Sequence, residues 1–177
     1  VEVGEKIDKL GLRTSDTAPV YFDNVRIPKR YRIGKEGDGF SMQMQQFQEE
    51  IIFLAAIALV IIDDCIKQTI SFCKDRVAFG KRIIDNQAIQ FRLAELQTEI
   101  ESLRSLIYRA CEEFVSGKDM TYLASMAKFK CGKLIREVSD ACLQYWGGMG
   151  FTWENPLSIV YRDGRLMSIG CGTDEIM

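Results

Sequence analysis

Residues 85–117, DNQAIQFRLAELQTEIESLRSLIYRACEEFVSG, place apolar side chains at Ile89, Leu93, Leu96, Ile100, Leu103, Ile107, Ala110 and Phe114. The steps alternate between four and three, so one stripe of an α-helix is apolar and the other faces carry the charge. The pattern predicts a helix that starts near Asp85, whose carboxylate suits an N-cap, and stops at Ser116-Gly117. Such a helix is stable only when neighbours cover its stripe, and the flanking sequence supplies them. A helical pattern runs from Phe40 to about Lys74 and contains Ile51–Ile62, a run of twelve residues that are all apolar. A bilayer span takes about 20 such residues; this shorter run, apolar on all sides, predicts a helix in the middle of a bundle. A third helix is expected from after Asp119 to about Trp146, where the cluster Gly147, Gly148 and Gly150 breaks it. A short helix is expected after Pro156 and another from Thr173. Three long helices and a terminal one predict a mainly α chain, an antiparallel four-helix bundle.

Residues 1–36 read differently. Val20, Phe22 and Val25 stand among turn formers, and Pro28 excludes a helix interior. One or two strands and a linker are expected, ending at Gly37-Asp38-Gly39. So short a piece cannot form a sheet domain alone, so it is read as the end of a β-domain, with residues 37–177 as the helical domain, truncated at its end.

Composition narrows the chemistry. Histidine is absent, which removes histidine bases, Ser-His-Asp triads and histidine-containing metal sites. The six cysteines form no C-x-x-C pair, so no metal site is expected, and several lie at apolar helical positions, as small buried hydrophobes do. A net charge of −2 gives no general attraction to nucleic acid or to an anionic membrane.

Four segments, in this order and spacing, resemble the acyl-CoA dehydrogenase family: LGLRTSDTAPVYFDNVRIP (10–28); RVAFGK (76–81) with Gln87; QYWGGMGF (144–151); and YRDGR (161–165) followed by IGCGTDEI (169–176). The resemblance covers essentially the whole chain, as the last third or so of a full member. It implies oxidation of the Cα–Cβ bond of an acyl-CoA thioester to a trans-2-enoyl-CoA. A carboxylate takes the α-proton, hydride passes to FAD, and electrons go on to an electron-transfer flavoprotein. An α-proton beside a thioester is too weakly acidic for a free carboxylate, so such a site needs donors for the developing enolate and a desolvated base.

Many members carry that base as Glu in a YEGT motif, but here the position is Cys171. The family's backbone N–H donation to the thioester carbonyl survives this change, so Cys171 and Gly172 are expected to bind substrate. Isovaleryl- and long-chain-type members place the base in the first long helix, ahead of an apolar stretch. The corresponding residue is Glu50, with Glu49 one position, about 100°, around the helix. On pattern alone the pair reads as two solvated glutamates. Relatives have Arg after the base; this chain has Ile51.

The resemblance further implies FAD contacts from Arg76, Phe79, Gln87, Gln144, Gly147, Gly148, Thr173 and Glu175. Arginine's planar fork matches a diphosphate, and glycine admits close backbone approach. Since the family's cofactor is held between two subunits, a homodimer or homotetramer is expected. The location is expected to be the mitochondrial matrix for a eukaryotic source and the cytoplasm otherwise. Two rivals remain: a catalytically inactive helical interaction module, favoured by Cys171 and Ile51, and a related acyl-CoA oxidase, which differs in its electron acceptor.

Overall fold

The structure, a computed structural model, describes residues 1–177. Four helices follow a short extended region: α1 (Gly39–Asp75), α2 (Gln87–Val115), α3 (Thr121–Trp146) and α4 (Pro156–Gly164). Two minimal antiparallel ladders accompany them: β1 (Glu2–Val3) with β2 (Val20–Tyr21), and β3 (Val77–Ala78) with β4 (Lys81–Arg82). The chain is mainly α, as the periodicity predicts.

The stripe on α2 is the one read from sequence except at its last residue, Phe114, which is exposed where the helix end runs past the core. Leu93, Leu96, Ile100, Leu103, Ile107 and Ala110 are buried, and Ile89 packs at the margin of the same core. They face Ala55, Ala58, Ile62 and Ile66 of α1 and Ala127, Ile135 and Val138 of α3. α1 and α3 run parallel, with α2 antiparallel to both. At one end Trp146 stacks on Phe72, with ring centroids 4.3 Å apart, and its Nε1 donates to Thr69 Oγ1 at 3.2 Å. At the other end Ile52 shares a small apolar cavity with Cys111, Phe114 and Met120.

One boundary differs from the sequence reading. Asp85 is not the N-cap of α2. It ends a 3-10 turn, Ile83–Asp85, and Asn86 holds the cap position. The Asp85 carboxylate accepts twice from Arg82, at 2.8 and 3.2 Å, and that ion pair outcompetes capping. From Thr173 the chain makes one turn with the bonding of a helix start, Met177 N–H donating to the Thr173 carbonyl at 3.3 Å. The fourth helix packed on the long three is therefore α4, against α3. It starts at Pro156, with Asn155 Oδ1 accepting from Leu157 N–H at 2.8 Å.

Ile51–Ile62 is also not enclosed on every side. Phe53 and Val60 lie seven residues apart on one face and are 64% and 69% exposed. A helix in a three-helix arrangement has two neighbours, which leaves the third side of its surface open.

All six cysteine sulfurs are free thiols; Cys65, Cys73, Cys131 and Cys142 are buried and Cys171 is exposed. Burial pushes the Cys65 and Cys131 thiols up to about 12 and Cys142 to about 11. At about pH 8 these thiols stay protonated, so a native thiol count is expected to label Cys171 promptly and the buried four only after denaturant. Leu103 is wholly buried, and Leu103→Ala is expected to cost about 2–5 kcal/mol in urea unfolding. Val115→Ala, at a residue 85% exposed, is expected to change stability by less than about 0.5 kcal/mol.

Candidate functional site

The expected site residues fall into two groups at different levels of the bundle. The first gathers around the Phe72–Trp146 stack. Arg76 follows directly on α1, and Gly147 and Gly148 follow directly on α3, so that stack brings the two motifs to one end. Arg76 is exposed and outside any ion pair, whereas Arg82 of the same hairpin is paired with Asp85. Phe79 and Gly80 form the two-residue turn between β3 and β4, with φ of +52° and +78°. Positive φ at both positions matches the twist of a tight hairpin. It is costly for phenylalanine, and the ring projects wholly into solvent. Gln87 and Gln144 are exposed at this same end. Gly147 has φ +56°, and a Cβ at Gly147 or Gly148 would meet nothing within 4 Å, so bare backbone faces open space there.

The second group lies toward the start of α3 from the first, against the middle turns of that helix. Lys128 Nζ donates to the Gly172 carbonyl, which ties the segment Cys171–Glu175 to this level. The segment touches α3 at Lys128, Gly132 and Arg136, between eighteen and ten residues before Trp146, so it lies about 15–27 Å from the first group along α3. Thr173 is half-buried. The Glu175 carboxyl is held below the usual carboxylate range, first by hydrogen bonding to its own backbone and then by the Thr173 hydroxyl.

Glu50 lies toward this same end. Level matching through Ile52–Met120 and Phe72–Trp146 puts it roughly 10 Å from Lys128 along the bundle axis. It is half-buried and accepts from Gln46 Nε2 at 2.7 Å, while Ile51 behind it is packed into the core. Glu49 is more exposed and borders the cavity of about 250 Å³ lined by Ile52, Phe53, Ala56, Cys111, Phe114 and Met120. None of the five principal cavities of the chain is lined by Glu50 together with Cys171 or Gly172.

Several residues that hold this region were not singled out from sequence. Asp174 Oδ2 accepts from Arg136 at 3.1 Å, and Ser168 Oγ donates to the Gly132 carbonyl at 2.8 Å. Asp163 Oδ1 accepts from Leu12 N–H at 2.7 Å and pins the extended region to α4. Trp153 lies beneath the Arg162 guanidinium at 3.8 Å. A readable signal existed for Lys128. It occupies the buried stripe Ala124, Lys128, Cys131, Ile135, where every other position is apolar.

Comparison with known proteins agrees with this architecture. The family model described as acyl-CoA dehydrogenase, C-terminal domain, matches residues 37–177. A short/branched chain specific acyl-CoA dehydrogenase, mitochondrial, from Bos taurus is 35% identical over 176 residues, 99% of this chain and 41% of that protein. An acyl-CoA dehydrogenase of Bacillus subtilis is 38% identical over 175 residues, covering 98% and 46%. The solved butyryl-CoA dehydrogenase of Megasphaera elsdenii superposes with a TM-score of 0.94 at 34% identity, over 99% of this chain and 46% of that one. The chain thus spans less than half the length of the relatives it matches. Motifs, helical architecture and family model converge, and the chain belongs to the acyl-CoA dehydrogenase family.

Proposed function

We propose that this chain is the C-terminal portion of a flavoenzyme that dehydrogenates an acyl-CoA thioester to its trans-2-enoyl-CoA. In this reading residues 1–36 end a β-domain and residues 37–177 form the helical domain. The observation that carries it is the separation of the two motif groups. One chain holds Arg76, Gly147 and Gly148 at one end and Cys171–Glu175 about 15–27 Å away, against the middle of α3. A single bound cofactor is contacted by both groups most simply when each comes from a different subunit. The exposed apolar face bearing Phe53 and Val60 is available for that association as a homodimer or homotetramer.

The residues present fit FAD. The unpaired, exposed guanidinium of Arg76 suits a diphosphate. The bare backbone at Gly147 and Gly148 admits close approach, and Phe79 offers a free ring face. Gln87 and Gln144 add amide donors and acceptors at the same end. FAD, when bound, supplies the acceptor for the hydrogen leaving Cβ. The chain's own part is acid–base and positional. Glu50, at the border between a polar turn and the apolar run, takes the α-proton onto its carboxylate. Backbone N–H groups of Cys171 and Gly172 face the thioester carbonyl, where negative charge develops. Thr173 and Glu175 border the flavin side. An electron-transfer flavoprotein is the acceptor in this reading, and the compartment follows the relatives, mitochondrial or bacterial.

A second assignment of the base has its own support, since Glu49 is the carboxylate that borders an apolar cavity. Anaerobic flavin bleaching by a panel of acyl-CoAs, using the full-length protein that carries this chain, separates the alternatives. Glu50→Gln is expected to slow bleaching at least a thousandfold, about 4 kcal/mol of transition-state stabilisation. Loss with Glu49→Gln instead moves the base by one position. Bound FAD that no acyl-CoA bleaches favours a non-catalytic interaction module, and rapid oxygen consumption by the reduced protein favours an oxidase. Arg76→Met is expected to weaken FAD retention at least tenfold, about 1.4 kcal/mol, in a dialysis or fluorescence titration.

A further inference from the structure

Lys128 is 2% exposed, in a stripe whose other members are apolar. A buried lysine needs a compensating partner, and this one has a single hydrogen bond, to the carbonyl of Gly172. Packing alone would be served at least as well by an apolar side chain of similar volume. The carbonyl it holds belongs to an unusual turn. Cys171 and Gly172 have φ of +55° and +106°, and a non-glycine residue persists there only where its surroundings over-determine the backbone.

Those surroundings are specific. Asp174 N–H donates to the Ser168 carbonyl at 3.2 Å, and Arg136 holds Asp174 Oδ2. Asp174 Oδ1 is buried without a hydrogen-bond partner, pressed against Gly132, where a Cβ would come within 2.7 Å of it. The turn is therefore clamped on both sides of Thr173.

Within the turn the N–H groups of Cys171, Gly172 and Thr173 donate to no acceptor in the chain. Every peptide bond is trans, so the Gly172 carbonyl and the Thr173 N–H point in opposite directions in one rigid plane. Holding that carbonyl against α3 turns the Thr173 N–H away from α3 and fixes the two N–H groups before it. Successive N–H groups in such a conformation form a concave site for a negatively charged oxygen.

We propose that Lys128 is a positioning residue. By holding the Gly172 carbonyl inside the bundle, it presents the free N–H groups of Cys171–Thr173 to the carbonyl oxygen of a bound acyl-CoA thioester. This rests on the acyl-CoA reading above.

The test uses the full-length, FAD-loaded protein and two ligands of equal chain length: a 2-enoyl-CoA thioester and an S-alkyl-CoA thioether, which lacks the carbonyl. Affinities are read from the flavin spectrum. Lys128→Met is expected to weaken the enoyl-CoA at least tenfold and slow anaerobic bleaching by a similar factor. The thioether affinity is expected to stay within twofold of wild type. Equal loss for both ligands, or no loss for either, overturns the positioning role and leaves the acyl-CoA reading standing. A wild-type protein that binds neither ligand overturns both. If Lys128→Met does not fold, Lys128→Gln takes its place. It keeps a donor on a stem too short for Gly172, so the same selective loss is expected and the same outcomes overturn it.

Discussion

Everything in this chain hangs on the parallel packing of α1 against α3, with α2 laid antiparallel across both. The buried seam runs from Ile52 and Ala55 at one end to Thr69 and Cys73 at the other, against Ala124 through Cys142. Small residues, Ala55, Ala58, Ala124 and Ala127, let the helix backbones approach closely, and Ile62, Leu96, Ile100 and Ile135 fill the space between. Dispersion and apolar burial set the distance between helices. The Trp146–Phe72 stack and the Trp146–Thr69 hydrogen bond set their register. Because helices are rigid rods with a fixed rise, that one register fixes the level of every motif carried on them.

This is why two groups separated by more than sixty residues in sequence lie together. Arg76 and Gly147 are each the residue that follows a helix, and the two helices end at the same level. It is also why Cys171–Glu175 lies apart from them: Lys128 and Arg136 fix it to the middle of α3. In the proposed reading a cofactor touching both groups takes one from each of two copies of the chain, and the exposed apolar face on α1 is offered for that association. The surface ion pairs, such as Arg92 with Glu137 and Lys130 with Glu99, link α2 to α3 but are largely solvated and add little to this framework.

The turn at Cys171–Thr173 shows how the fold invests stability in orientation. A lysine and an aspartate oxygen are buried, a glycine interrupts a long helix, and a cysteine is held at positive φ. Each is unfavourable in isolation. Together they hold one short segment of backbone with its donors unengaged, as preorganised electrostatic catalysis requires.

The sequence by itself determined the helices, the buried stripe on α2 and the family, because apolar periodicity is a local property and four motifs in fixed order leave little freedom. It also marked Arg76, Gln144, Gly147 and Gly148, since each stands in a motif, and the family resemblance marked Glu50 by its place ahead of the apolar run. It misread Asp85 as a cap, where a neighbouring arginine decided otherwise. It took Ile51–Ile62 to be enclosed, although helical pattern cannot count how many neighbours a helix has. Only the tertiary structure decided which motifs share an end of the bundle, and that Lys128, Arg136 and Asp174 converge on the 171–175 turn. Those contacts join residues about 40 positions apart through the packing of separate helices, and no local pattern encodes a distance across a core.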